Sequence, residues 1–209
     1  IARDYNLLVI EDSAEAHGTP LTGDIACFSL FANKIITSGE GGICITNNKR
    51  LAWQIKHLGS MAFDGIHSFL HKKLSYNYRM TNLQGAVALA QLERIDEFLA
   101  KRKQIEQWYN EGLAGLNHIT IMPLRDSVWY YDILAENRDG LMDALKENGI
   151  ETRMYFKPMS MQPMYFNENY RDLRAFNFSQ RGMYLPTFTR LTKNDIDYII
   201  DSIKQFYCR

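Results

Sequence analysis

The chain has 209 residues, 46% hydrophobic and 23% charged, an ordinary composition for a globular protein with one core or two small ones. Its 24 basic and 24 acidic residues cancel, which leaves no electrostatic case for nucleic acid or a membrane surface as partner. No apolar run is long enough to span a bilayer, and Cys27, Cys44 and Cys208 show neither metal spacing nor a disulfide framework.

The opening stretch, IARDYNLLVIEDS, lacks the basic segment and long apolar run of a secretory signal. It has no initiator methionine and runs straight into an apolar strand pattern, so a missing N-terminal portion is expected. Residues 6–10 (NLLVI) read as a fully buried, parallel-type strand. Residues 25–31 (IACFSLF) read as a second, and 43–46 (ICIT) as a third, after the turn Ser38-Gly39-Glu40-Gly41-Gly42. Cys27 and Cys44 fall inside these runs and are expected as buried thiols of a reducing cytosol. Residues 48–58 are predicted as a helix. Thr81-Asn82-Leu83-Gln84 has the form of a capping box and opens a helical pattern over about 82–113. A helix that long bridges two domains or lies along an interface, and the domain boundary is placed within it, giving 1–100 and 101–209.

In the second half, 119–122 and 128–134 are predicted strands, and 139–147 a helix ended by Asn148-Gly149. Residues 150–155 read as another strand, and Pro158 and Pro163 mark a loop over 156–166. Thr192-Lys193-Asn194-Asp195 caps a last amphipathic helix reaching about Tyr207. The second half is therefore expected to be a small α/β domain.

Chemistry concentrates in the first half. Lys34 follows Ser29 by five residues, between an apolar run and a glycine-rich turn, and Asp12 ends the preceding run LLVIED. An amine, a hydroxyl and a carboxylate at the ends of adjacent strands suit pyridoxal 5'-phosphate (PLP), which needs a lysine for its Schiff base, a phosphate donor and an acid for its pyridine nitrogen. Phe28, Leu30 and Phe31 are expected to wall the amine off from water, which would lower a lysine pKa. Plain structural roles stand beside each of these. Asp12 suits a helix N-cap, and Ser29 a buried hydroxyl bonded to backbone.

The stretches EDSAEAHG, GDIACFSLFANKIITSGEGG, YNYRMTNLQGAVALAQLERIDEF and GIETRMYFKPMSMQPMY resemble, in that order, the motifs of the sugar-nucleotide aminotransferases. The resemblance covers nearly the whole chain. It implies the C-terminal part of an α/β, fold-type-I aminotransferase: an incomplete large-domain mixed sheet with helices, plus a small α/β domain. It also implies a cytoplasmic homodimer with shared active sites, which passes an amino group from glutamate to a nucleotide-linked 4-keto-6-deoxy sugar.

By position in those motifs, Lys34 would be the Schiff-base lysine, Asp12 the partner of the pyridine nitrogen and Ser29 a phosphate ligand. Asn77 would reach the phosphate of the neighbouring subunit's cofactor, or else hold its own turn. Arg79 would meet an anionic group of the substrate, or else form a structural ion pair. Glu15 stands where many members carry glutamine. A carboxylate facing the cofactor's phenolate oxygen is expected to be protonated or water-bridged, unless the residue simply faces solvent. Three further departures are a short loop over 18–23, Ser160 where histidine is common, and the absent N-terminal portion. His17 belongs to the motif as a structural residue, while His57, His67, His71 and His118 lack ligand spacing. Related 3-dehydratases replace the lysine with histidine, so Lys34 argues against that activity.

Overall fold

The computed structural model describes residues 1–63, 69–166 and 173–208, which excludes His67. The chain divides into two compact units, Ile1–Leu99 and Ala100–Arg209.

In the first unit, β1 (Ile10–Asp12), β2 (Ile25–Ser29) and β3 (Gly42–Ile45) make a mixed sheet in the order β1-β2-β3. β1 runs parallel to β2 with Asp12 opposite Cys27, and β3 runs antiparallel with Cys44 opposite Cys27 and Gly42 opposite Ser29. The parallel pairing is as the sequence implied, but the burial is not. Leu7, Leu8, Val9 and Ile10 are 58%, 72%, 37% and 68% exposed, since among the described residues little packs over them, and β1 has a single neighbour in the sheet. The strand is also displaced from the predicted 6–10. The Leu7 N–H is spent on the Ala2 carbonyl (2.8 Å) and that of Val9 on the Asp24 carboxylate (2.8 Å), so regular pairing starts at Ile10.

Helix α1 (Lys49–Leu58) starts at Asn48, whose side chain accepts from the N–H groups of Arg50 and Leu51. The capping box at Thr81 and Gln84 is realised at α2 (Asn82–Leu92). The single helix predicted over 82–113 is in fact two, α2 and α3 (Ile95–Leu113). At the junction the Arg94 N–H reaches back only three residues, to Gln91, and the chain tightens out of α geometry. The Arg94 side chain then folds onto Glu97 (2.9 and 3.0 Å) and over the Phe98 ring. Most of α2 is apolar, yet only Ala88 is buried; Leu83, Val87, Leu89 and Leu92 are all exposed.

The second unit has the antiparallel sheet order β4-β5-β7-β6, from β4 (Ile119–Ile121), β5 (Tyr131–Ala135), β6 (Arg153–Met154) and β7 (Gly182–Leu185). One face is covered by α3, α4 (Arg138–Glu147) and α6 (Lys193–Tyr207). Ile105, Tyr109 and Leu113 recur every four residues on α3, and Ile196, Ile199, Ile200 and Ile203 line α6; each such side chain contributes about 1.5–3 kcal/mol on burial. A side chain on Gly112 would strike Ile200, so glycine there allows these two helices their close approach. The Thr192–Asp195 capping box forms as predicted. The sequence patterns did not reveal α5 (Leu173–Arg181) or β7. The predicted loop over 156–166 contains two short 3-10 turns. No helix among the described residues is long and apolar enough to cross a membrane.

Candidate active site

Leu30 is the anchor of the segment that carries Lys34. Its N–H donates to the Gly41 carbonyl (2.9 Å), and its carbonyl accepts from the Ser38 N–H (3.0 Å) and the Thr37 hydroxyl (2.9 Å). Its side chain is fully buried, as are those of Ile35 and Ile36. Gly39 (φ +81°) and Gly41 (φ +131°) supply left-handed backbone that returns the chain into β3, conformations that side-chain-bearing residues resist. Lys34 is held midway round, its N–H on the Phe31 carbonyl (3.0 Å).

The Lys34 side chain is only 11% exposed, and its Nζ donates to Glu15 Oε1 at 2.9 Å. Glu15 was expected to face a cofactor oxygen. In this chain it accepts from the Lys34 ammonium. The expected dry wall is incomplete, since Leu30 is buried while Phe31 is 45% exposed.

Asp12 lies at the C-terminal end of β1 and Ser29 at that of β2. Register and alternation place both on one sheet face, together with Cys27 and Cys44. The Asp12 side chain is exposed, which corrects the expectation of a buried strand end. Its Oδ1 accepts from the Ala14 N–H (3.2 Å), and the residues that follow form turns, so Asp12 closes a turn where an N-cap was the alternative. Ser29 Oγ accepts from the Phe31 N–H (3.2 Å), which leaves its own hydrogen to be donated elsewhere. On β1, Glu11 lies next to Asp12 on the opposite face and accepts from the Thr22 hydroxyl and the N–H groups of Gly23 and Thr22, which hold its carboxyl below the usual range.

Asn77 and Arg79 are joined to each other. Asn77 Oδ1 accepts from Arg79 Nε (3.0 Å), and both side chains are exposed. Asn77 is bridged to Ser60 and lies between Tyr76 and Tyr78, whose rings stack at 5.2 Å. The structure therefore brings Lys34 to Glu15, puts Asp12 and Ser29 on one sheet face, and joins Asn77 to Arg79. His17 is buried with its ring against Phe28 (5.6 Å), and Ser160 sits in a 3-10 turn. Cys44 is exposed and Cys27 half-buried, against the expectation of two buried thiols.

One polar cluster went unread in the sequence. Asp132, buried within β5, bonds Arg125 Nη2 (2.6 and 2.7 Å) and the Tyr155 hydroxyl. The available signal was a lone carboxylate inside the apolar stretch VWYYDILA. A shallow pocket beside it, lined by Glu106, Arg125, Tyr130 and Asp132 among others, belongs to the second unit and contains none of the site residues named above. Among the described residues, no three His, Cys, Asp or Glu side chains gather as metal ligands would.

A family model described as the DegT/DnrJ/EryC1/StrS aminotransferase family matches residues 1–204. GDP-perosamine synthase of Caulobacter vibrioides is 40% identical over 98% of this chain and 60% of its own length. The Escherichia coli O157:H7 protein of the same name is 36% identical over 99% of this chain and 60% of its own. Among solved structures, S. venezuelae DesV superposes with a TM-score of 0.90 at 27% identity, over 100% of this chain and 60% of that one. The chain thus spans about three-fifths of the length of these relatives and has the fold of the C-terminal portion of a fold-type-I aminotransferase.

Proposed function

Since this chain belongs to the DegT/DnrJ/EryC1/StrS aminotransferase family, we propose that it is the C-terminal part of a PLP-dependent sugar-nucleotide aminotransferase. Glutamate would donate the amino group and leave as 2-oxoglutarate. A nucleotide-linked 4-keto-6-deoxy sugar would accept it, giving an amino sugar for glycan or O-antigen-type biosynthesis. The relatives named GDP-perosamine synthase favour a GDP-linked sugar and the perosamine branch. A cytoplasmic location belongs to the proposal, because these charged metabolites do not cross membranes unaided. The observation that carries the reading is the nearly buried Lys34 amine on a loop pinned at Leu30, with Asp12 and Ser29 at neighbouring strand ends.

This donor set fits PLP in its chemistry. The cofactor, when bound, supplies an electron sink for charge developing at the substrate carbon. Lys34 would bind it covalently through Nζ and, once released, would carry the proton at the substrate carbon. Asp12 would hold the proton on the ring nitrogen, and its exposed carboxylate is open to do so. Ser29 would donate its hydroxyl hydrogen to the phosphate. Glu15 would keep the Lys34 ammonium in place until the amine is needed. In this reading, residues 1–100 are the remainder of the cofactor-binding domain and 101–209 the small domain.

Asn77 and Arg79 would serve the site of a second copy, with Asn77 on the phosphate and Arg79 on an anionic group of the substrate. The exposed apolar side chains of α2 support such a homodimer, since obligate interfaces are large and apolar. Sedimentation of the full-length protein should give a dimer; an active monomer would remove these two roles. The function itself is tested by incubating the full-length protein with PLP, glutamate and a GDP-4-keto-6-deoxy sugar. Mass spectrometry should show the keto oxygen replaced by an amino group, with 2-oxoglutarate formed in step. A product lacking a hydroxyl and carrying no nitrogen would point to dehydration and reject amination.

A further inference from the structure

We propose that Cys27 and Cys44 are an oxidisable pair, which closes to a disulfide between β2 and β3 when a low-molecular-weight disulfide such as oxidised glutathione reaches it. The two residues are direct partners in the antiparallel register, and their sulfurs lie 3.8 Å apart. The Leu30 N–H bond to Gly41 marks 30/41 as a hydrogen-bonded pair, so alternation makes 27/44 a non-hydrogen-bonded one. Partners of that kind have α-carbons about 4.5 Å apart and side chains at their closest, within the range a disulfide spans. Rotation about the Cα–Cβ bonds, without backbone movement, suffices to bring the sulfurs to bonding distance.

Access is available, with Cys44 exposed and Cys27 half-buried. Burial, then the bond to Cys27, holds the Cys44 thiol above its usual range, and the Asp12 carboxylate stands at the β1 position beside Cys27. Closure is therefore favoured by proximity, not by an unusually acidic Cys44 thiol. One cysteine thiolate attacks a glutathione sulfur, releases the first glutathione as its thiolate and forms a mixed disulfide. The second cysteine thiolate then attacks the protein sulfur and expels the second glutathione. Two protein thiols are oxidised and one glutathione disulfide is reduced to two thiols, so electrons and protons balance. The bridge would tie the strand bearing Ser29 to the strand leaving the glycine turn. This holds whether or not the chain binds PLP.

The test uses the full-length protein carrying Cys208→Ser, which removes the other exposed thiol of this region, and follows Cys27 and Cys44 by peptide mapping. Oxidised glutathione should protect both Cys27 and Cys44 from alkylation, and their bridged peptides should together be lighter by two hydrogens. Non-reducing peptide maps should join the Cys27 and Cys44 peptides, and dithiothreitol should restore both thiols. Adding Cys27→Ser should instead leave a lasting glutathione adduct on Cys44. Persistence of two thiols, a stable adduct in the parent chain, or a bridge between chains would each overturn the proposal.

Discussion

Lys34→Ala should lower amino transfer by the full-length protein by about 10⁴-fold or more, because it removes both the covalent anchor and the proton carrier. It should also remove the long-wavelength absorbance that PLP acquires when bound to a lysine amine. Lys34→Arg separates this chemistry from structure. It keeps a cation within reach of Glu15, whose oxygen lies 2.9 Å from Nζ, but offers no nucleophilic amine. Turnover should therefore fall as far in the arginine variant, while its thermal stability stays nearer the parent. Borohydride reduction followed by peptide mapping should find the pyridoxyl group on Lys34 alone. A label on another lysine, or turnover surviving in both variants, would reject the assignment.

Asp132→Ala should cost about 3 kcal/mol of folding stability in the second unit and lower its Tm by about 12 °C or more. The Asp132 side chain is 8% exposed, whereas Arg125 is 43% exposed. Removing the carboxylate strands the Tyr155 hydroxyl and leaves Arg125 without its counter-ion. Arg125 can still recover some hydration, which sets the expected cost at the lower end for a broken buried pair. The phenol of Tyr155 is pushed above its usual range, first by burial and then by its bond to Asp132, so it is a donor throughout the neutral range. Asp132→Asn keeps an acceptor without the charge and should cost about half as much. Thermal melts of both variants, followed by circular dichroism, measure the difference; equal and negligible losses would show that water satisfies Arg125 and Tyr155 as well as Asp132 does.

The two capping boxes were legible because their chemistry is local: Thr81 with Gln84, and Thr192 with Asp195, bond across three residues. The placement of Lys34 between an apolar run and a glycine turn was equally plain, since Gly39 and Gly41 signal the return of the chain. What sequence could not supply was how far each apolar run is covered. Leu7 to Ile10 carry the pattern of a buried strand, yet within this chain, three-fifths the length of its relatives, they are exposed. The break at Glu93–Arg94 has no glycine or proline to announce it. It depends on a three-residue hydrogen bond and on Arg94 turning toward Glu97 and Phe98. β7 begins with Gly182 and includes a tyrosine, Tyr184, and its partners on both sides are distant in sequence. The Glu15–Lys34 contact was hidden for a similar reason: nineteen residues separate the pair, and the motif suggested a partner outside the chain.

Leu30 gives the region a mechanical character. Three hydrogen bonds from one residue close the circuit that holds Lys34, and the side chain of that same residue is sealed in the interior. Such a segment opens as a latch: freeing Ser38, Thr37 and Gly41 from Leu30 releases the backbone that carries Lys34 in the same step. The free energy of that local opening is thus an upper limit on how firmly the chain can hold its lysine in position.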